Sequence, residues 1–177
     1  MLEWLQLNIN LSTLIWLFPA TFMLHDFEEI IFVEAWFKKY GSHVAARVPF
    51  RMQKVFADMA LVTSARFAIP VLLQFVVYIG ASYLAAEKQI VGPFVGFNLL
   101  LFLHIFTHVG QSLLFRVYAL GTLTAVLITL PYSLYVGYRL LLEGIIDYGD
   151  FIRYAPYGLV TIGIVLAGHR IAREVLR

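Results

Sequence analysis

Apolar runs long enough to cross a membrane recur along the sequence and constrain its fold more than any other feature. A helix needs roughly 20 apolar residues to span the hydrocarbon core. The chain is 61% hydrophobic and 14% charged, whereas a soluble domain is about half apolar. The sequence predicts an all-α polytopic membrane helix bundle with about five transmembrane helices. The predicted spans are residues 9–35, 62–86, 90–115, 118–142 and 154–173.

The connections between these runs predict one integral-membrane domain over residues 1–177, because none is long enough to fold separately. In the first connection, Gly41 and Pro49 are expected to break the helix. Beyond them, Arg51, Lys54 and Asp58 alternate with apolar residues. This pattern is typical of a short interfacial helix, which the positive-inside rule places in the first cytoplasmic loop.

Basic residues are distributed unequally between the two sides of the predicted bundle. Three of them, Lys88, Arg139 and Arg153, fall on one side. Cytoplasmic segments carry an excess of Lys and Arg, so the fuller side is predicted to be cytoplasmic, with the N-terminus outside and the C-terminus inside. A bacterial inner membrane is the expected location. The residues on the fuller side are Lys38, Lys39, Arg47, Arg51, Lys54, Arg66, Arg116, Arg170, Arg173 and Arg177.

Composition excludes several classes of function. The chain has no cysteine, so disulfides, thiolate metal sites and a cysteine nucleophile are absent. Its net charge is only +2, and no basic stripe with interleaved aromatic residues indicates nucleic-acid binding. The expected partner is a lipid-like small molecule, and a homo-oligomer is a further possibility.

Four ionisable residues interrupt the first apolar run, in the stretch MLHDFEEIIFV at residues 23–33. Ionised groups inside a membrane cost a few kcal/mol each and mark functional sites. His25 and Glu29 are separated by four residues, so they project from one helix face. Glu28 is rotated by about 100° from Glu29. One carboxylate can therefore bind a metal while the other acts as a general base.

A second pair with the same spacing, His104 and His108, lies in the third predicted span. Counting about 1.5 Å per residue places His25, His104 and His169 at similar depths on three helices. These histidines and Glu29 are the predicted metal ligands. The alternatives are a buried ion pair at His25 that only locks the bundle, and an interhelical hydrogen bond at His169. Arg116 is the candidate for binding an anionic substrate group.

Two resemblances support a metal site. HDFEE resembles the inverted zinc-peptidase motif H-x-x-E-H with Glu in the last position, which implies His25 and Glu29 as ligands and Glu28 as general base. HDFEE, followed by HIFTHVGQS and RVYALGTLTA, resembles the HXXEE family of membrane proteins in order and spacing. The resemblance implies a membrane-bound metal-dependent enzyme and supplies no substrate.

The predicted function is a metal-dependent hydrolase embedded in the membrane. Zinc is the expected ion, with iron as a possibility, and the substrate is expected to be lipid-like or membrane-embedded. A di-iron oxygenase or desaturase is a variant that would need more carboxylates than the chain offers. The alternative from another class is a non-catalytic transporter of a divalent ion or protons, which usually requires internal repeats. Such a carrier would have to oligomerise.

Overall fold

Helices account for the architecture of the computed structural model, which describes residues 2–176 and the side chains from residue 4 onward. No strand forms within this range, so the all-α prediction is confirmed. Arg177, which the orientation argument uses, lies outside the described residues. The helices are α1 (Leu2–Asn8), α2 (Leu11–Ala45), α3 (Gln53–Met59), α4 (Ser64–Lys88), α5 (Gly92–Phe115), α6 (Thr122–Leu142) and α7 (Tyr148–Val175).

Four helices in the described part of the chain, α4 to α7, are long and apolar enough to span a membrane. These helices indicate an integral-membrane protein. The prediction of five spans is wrong in its count, because α2, which covers the predicted span from residue 11 onward, is not among the four. HDFEE interrupts the apolar run of α2 and lowers its hydropathy. The side of α2 from Leu14 to Val33 is nevertheless buried inside the bundle.

Two helix boundaries differ from the predictions. Helix α2 continues through Gly41 to Ala45, since a single interior glycine costs only about 1 kcal/mol. Hydrogen bonds from Trp36 Nε1 to the Tyr118 carbonyl (2.6 Å) and from His43 Nε2 to the Phe115 carbonyl (3.0 Å) hold this extension. Helix α7 begins at Tyr148 rather than at residue 154, because a capping box precedes it.

The short helix predicted in the first connection is confirmed as α3, which follows a single 3₁₀ turn at Phe50–Met52. No residue of this turn or of α3 is buried. Phe50 is 87% exposed, and Met52 is exposed as well. The interfacial position of α3 stays a prediction.

An aromatic core, formed by Phe18, Phe22, Tyr78, Phe94 and Tyr132, joins α2, α4, α5 and α6. The Phe18 ring centroid lies 4.7 Å from that of Tyr78 and 5.3 Å from that of Phe94. The Tyr132 hydroxyl donates to the Leu14 carbonyl at 2.8 Å. Thr124, at the start of α6, donates to Glu28, which lies further along α2 than Leu14. These two bonds set α6 antiparallel to α2.

Helix α7 packs directly on α5 and α4 through small residues. A Cβ atom on Gly96 would lie 2.3 Å from the Tyr154 carbonyl oxygen, and one on Gly158 would lie 2.7 Å from the Gly96 carbonyl oxygen. Near the far end of α7, a Cβ on Gly168 would lie 2.5 Å from the Cα of Pro70. Close approach at small residues is the usual packing mode of membrane helices.

The basic residues near the first connection and the C-terminus lie at one end of the bundle, here named the basic end. Arg66, at the start of α4, donates to the Leu176 carbonyl at 2.8 Å. The contacts of Trp36 and His43 with residues 115–118 join the end of α2 to the end of α5 at the same place. The α2 extension, α3 and the ends of α5 and α7 therefore form one polar cap.

Candidate metal centre

Four predicted ligands meet between α2 and α5 near the start of α6. His25 and Glu29 come from α2, and His104 and His108 come from α5. One ligand atom from each residue lies within 4.8 Å of the others. These four residues form the ligand cluster. Each pair is separated by one helical turn, so both of its side chains reach the same side of the helix.

Distances inside the ligand cluster fit a single ion. The two Nε2 atoms of His104 and His108 are 2.9 Å apart, and His108 Nε2 is 3.4 Å from Glu29 Oε1. The His25 ring centroid lies 4.9 Å from that of His108. Two nitrogens bound to one tetrahedral zinc, at about 2.0–2.1 Å each, lie roughly 3.3 Å apart. Imidazole and carboxylate together suit zinc, iron and related divalent ions.

Thr124 determines which nitrogen of His25 is free. Its single hydroxyl proton is donated to Glu28 Oε2 at 2.6 Å, so the hydroxyl oxygen accepts from His25 Nδ1 at 3.0 Å. We therefore assign the proton of His25 to Nδ1, which leaves the Nε2 lone pair for a metal. A ligating histidine usually has its other nitrogen held in this way.

Thr107 fixes the tautomer of His104 as Thr124 fixes that of His25. Its hydroxyl donates to the His104 carbonyl at 2.7 Å and accepts from His104 Nδ1 at 3.1 Å, so His104 Nε2 also carries a lone pair. This lone pair faces His108 Nε2. If His108 is protonated on Nδ1, two lone pairs oppose each other at 2.9 Å. If it is protonated on Nε2, it donates to His104 Nε2, and its buried Nδ1 has no hydrogen-bond partner among the described residues. A cation bound by both Nε2 atoms would remove the repulsion of the first tautomer.

Glu28 is adjacent to the ligand cluster but is directed to the start of α6. Its carboxylate accepts from the Tyr118 hydroxyl, the Gly121 N–H (3.2 Å), the Thr124 N–H (3.0 Å) and the Thr124 hydroxyl (2.6 Å). A carboxylate at this place satisfies the unpaired N–H groups at a helix N-terminus. The structure thus separates the two glutamates: Glu29 faces the histidines, and Glu28 caps α6.

Gly121 closes the cluster from the side of α6. Its φ is +82°, a left-handed conformation that favours glycine. A Cβ atom here would lie 2.6 Å from Glu29 Oε1, 2.8 Å from His108 Cε1 and 3.0 Å from His25 Cε1. Gly121 therefore supplies the space in which the ligand cluster sits.

Two predicted site residues lie apart from the ligand cluster. His169 is on α7, with its ring centroid 6.2 Å from that of Phe67. Arg116 is exposed at the end of α5, two turns beyond His108, with φ 54°. Neither belongs to the metal-binding group found among the described residues. The depth estimate grouped His169 with the others because it measures position along the membrane normal and not position around the bundle.

Sequence reasoning missed the roles of Thr107, Thr124, Tyr118 and Gly121. These residues lie in the segments HIFTHVGQS and RVYALGTLTA. A signal was present for Thr107, which lies between the two histidines one turn after His104. The roles of Tyr118, Gly121 and Thr124 depend on how the start of α6 meets α2, which spacing along the chain does not give.

The ligand cluster is unequally exposed. His25 and His108 are buried and Glu29 is partly buried, whereas the edge of His104 reaches the outer surface of α5. The neighbouring Leu103 and Phe106 are 50% and 55% exposed. The cluster can therefore be reached from the side of the bundle past His104.

Comparison with known proteins gives one match. A family model described as a protein of unknown function with HXXEE motif matches residues 16–136, which is more than half of the chain. The matched range contains all four residues of the ligand cluster and the start of α6. No curated protein and no solved structure matches the chain.

Proposed function

The chain belongs to the HXXEE family, and we propose that it is a membrane-embedded metalloenzyme that binds one divalent ion in the ligand cluster. The observation that carries the proposal is the convergence of three imidazoles and one carboxylate within 4.8 Å. The Nε2 atoms of His104 and His108 face each other 2.9 Å apart, an arrangement in which both can bind one cation. The same cation offsets the cost of placing Glu29 inside an apolar bundle.

We propose hydrolysis as the reaction class and zinc as the ion. A bound divalent ion lowers the pKa of its water to near 7 and polarises a carbonyl or phosphoryl oxygen. The residues then have distinct tasks: His25, Glu29, His104 and His108 bind, while Thr107 and Thr124 fix the imidazole tautomers. One ion fits better than two, because the described residues contain a single such group of ligands.

Glu28 has two possible tasks in this scheme. Its four hydrogen bonds support a positioning role, in which it holds α6 and, through Thr124, the ring of His25. The general-base role implied by the H-x-x-E-H resemblance would require the Glu28 carboxylate to leave these donors. We propose the positioning role for the resting protein.

The exposed edge of His104 supports a lipid-like substrate that arrives from the side of the bundle. The four residues of the ligand cluster would hold the ion, and the proposed catalysis would need a further position on it for water or substrate. The exposed apolar neighbours Leu103 and Phe106 favour a hydrophobic ligand on that side. We propose that Arg116, exposed at the basic end, contacts an anionic group of such a substrate.

The arrangement in the membrane is also a proposal. The excess of Lys and Arg at the basic end supports a cytoplasmic position for that end, in a bacterial inner membrane. The start of α2 would then lie on the outer side. The ligand cluster, which lies between the basic end and the aromatic core, would be reached from the cytoplasmic half of the bilayer.

The test is metal content per chain by inductively coupled plasma mass spectrometry, on protein purified in detergent without chelators. We expect about one zinc per chain in wild type and none in His25→Ala or His104→Ala. His43→Ala and His169→Ala are matched controls, because these histidines lie outside the ligand cluster and should retain the metal. Metal-free wild type would overturn the proposal, and near two irons per chain would redirect it to oxidation.

Enzyme and carrier are separated by a second measurement on the zinc-loaded protein. Hydrolysis of lipid-like esters and amides in mixed micelles should depend on the ligand cluster. Uptake of ⁶⁵Zn into sealed proteoliposomes should stay at the level of empty vesicles. Uptake that is lost in His104→Ala, without hydrolysis of any substrate, would favour the transporter.

A further inference from the structure

A second group of buried polar side chains lies beside the ligand cluster, on the side away from the basic end. The group, here named the polar layer, has Thr21 from α2, Asn98 from α5, and Thr129 and Ser133 from α6. All four are more than nine-tenths buried. Asn98 Nδ2, Thr129 Oγ1 and Ser133 Oγ have no hydrogen-bond partner among the residues that the structure describes.

Helix register places these side chains in one layer. Asn98 follows Phe94 by one turn on the buried side of α5 that continues to His108. Thr129 lies five residues beyond Thr124, about 7.5 Å along α6, and Ser133 follows one turn later. The bond from Tyr132 to the Leu14 carbonyl fixes this part of α6 against α2. The polar layer therefore begins beside the ligand cluster and reaches the depth of the aromatic core, since Thr21 and Ser133 adjoin Phe22 and Tyr132 in sequence.

The backbone of α6 is widened at the polar layer. Residues Ala125–Thr129 form a π-helical turn, in which the Leu130 N–H bonds to the Ala125 carbonyl. Pro131 follows directly and has no N–H to offer the Leu127 carbonyl. Such widened turns are frequent at functional sites. Here the turn brings Thr129 to the centre of the bundle, where it is 0% exposed.

We propose that the polar layer binds a small cluster of ordered water molecules that supplies the metal centre with its water. Buried water typically makes about three hydrogen bonds to polar groups that lack protein partners, and three such groups lie on the buried sides of α5 and α6 here. This inference rests on the proposed hydrolysis, which consumes one water molecule per bond cleaved. It assigns the two routes: the lipid-like substrate approaches past His104, and the water comes from within the bundle.

The far side of the polar layer is closed. Phe94 and Val136 are each 0% exposed, and they lie one turn beyond Asn98 and Ser133 toward the outer end. Water in the layer would therefore exchange on the side of the ligand cluster.

The test is X-ray radiolytic hydroxyl labelling of the full-length, metal-free protein in nanodiscs. Radicals formed from bound water oxidise adjacent side chains that radicals from bulk solvent do not reach. The reporters are Phe22, Phe94 and Leu101, which are buried next to the layer. We expect all three to be labelled in wild type, and at least five-fold less in the double variant Asn98→Leu, Thr129→Val. Ser82→Ala is the matched control, because the Ser82 hydroxyl is buried but already bonds to the Ile15 carbonyl.

Each outcome decides the proposal. Wild-type reporters that stay unlabelled would show a dry layer and overturn it, whatever the variants do. A higher melting temperature in Thr129→Val and Ser133→Ala, with labelling unchanged, would also overturn it, since the hydroxyls would then only be unsatisfied. The labelling is done on metal-free protein, so its result does not depend on whether the chain binds a metal. If the layer is labelled but the metal analysis finds no metal in wild type, the hydrated layer stands and only the proposed function is refuted.

Discussion

The aromatic core and the ligand cluster share helices α2 and α5 and differ in what surrounds their side chains. On α2, Phe18 and His25 are seven residues apart on one face, and both are buried. The Phe18 ring packs against three aromatic rings. His25 belongs to a cluster in which the Nε2 atoms of two other imidazoles face each other at 2.9 Å. One layer is complete with protein atoms alone, and the other is a group that could hold a metal ion.

This difference indicates that the residues that stabilise the fold and the residues of the ligand cluster can be changed independently. Each aromatic pair adds about 0.5–1.5 kcal/mol beyond its buried area, and these contacts do not depend on a ligand. If the proposed function is correct, the ligand cluster adds stability only through the divalent ion that it binds. Changes in the aromatic core should therefore alter unfolding with or without metal, whereas changes in the cluster should alter only the metal-dependent part.

The strongest test of this separation compares Phe18→Ala with His25→Ala. Removing the Phe18 ring leaves a cavity among three aromatic rings and should lower the free energy of unfolding by about 3 kcal/mol. Zinc at a thousand-fold excess over its Kd should raise the free energy of unfolding by about 4 kcal/mol. Phe18→Ala should keep this increase. His25→Ala should abolish that increase. Thermal unfolding in detergent with and without zinc measures both, and loss of the zinc effect in Phe18→Ala would refute the separation.

Gly121→Ala should damage the site more than any change outside the four ligands. The left-handed φ alone costs about 1–2 kcal/mol for a residue with a Cβ atom. The added methyl would also displace Glu29 and His108, so we expect zinc affinity to fall roughly 100-fold, as when the support of a ligand is lost. Gly110→Ala is the control, since a methyl group added there on α5 would meet no atom within 4 Å. Competition with a fluorescent zinc chelator measures both affinities, and equal values would contradict the assigned role.

Thr124→Val separates orientation of a ligand from ligation itself. The change keeps the shape of the side chain and removes the hydroxyl that lies between His25 and Glu28. We expect zinc affinity to fall roughly 10-fold, because the His25 tautomer is no longer fixed. Thr161→Val is the counterpart in the other region, where the hydroxyl bonds to Tyr78 at 3.2 Å. Thr161→Val should lower the melting temperature and leave zinc affinity unchanged. Lower zinc affinity in Thr161→Val, with unchanged affinity in Thr124→Val, would overturn both assignments.

The sequence predicted the chemistry of the site better than its supports. The four-residue spacing within HDFEE and within HIFTH is a local property of a helix, so His25, Glu29, His104 and His108 were found. His169 was placed with them because depth was known and angular position was not. The span count failed because the polar residues of HDFEE lower the hydropathy of α2, which is not among the four candidate spans. The cap that Glu28 provides for α6 depends on tertiary packing and has no sequence pattern.

Tyr118→Phe has the smallest expected effect and locates the border of the site. The Tyr118 hydroxyl donates to Glu28 and accepts from the Leu123 N–H at 3.0 Å. Burial, and then the bond to the Glu28 carboxylate, raise the pKa of Tyr118 to about 12. The folded-state pKa is thus above the unfolded value near 10, so the stabilisation is complete below pH 10 and is lost as pH rises toward 12. The variant should cost about 1 kcal/mol at pH 7.

The difference between the ultraviolet titrations of wild type and Tyr118→Phe should show one phenol that ionises near pH 12. Zinc affinity should change less than in Thr124→Val, because Tyr118 contacts Glu28 on the side away from His25. An equal loss of affinity would show that Glu28 transmits strain from the whole start of α6 to the ligands. The site would then extend to the end of α5, and the separation from the fold would hold only toward the aromatic core.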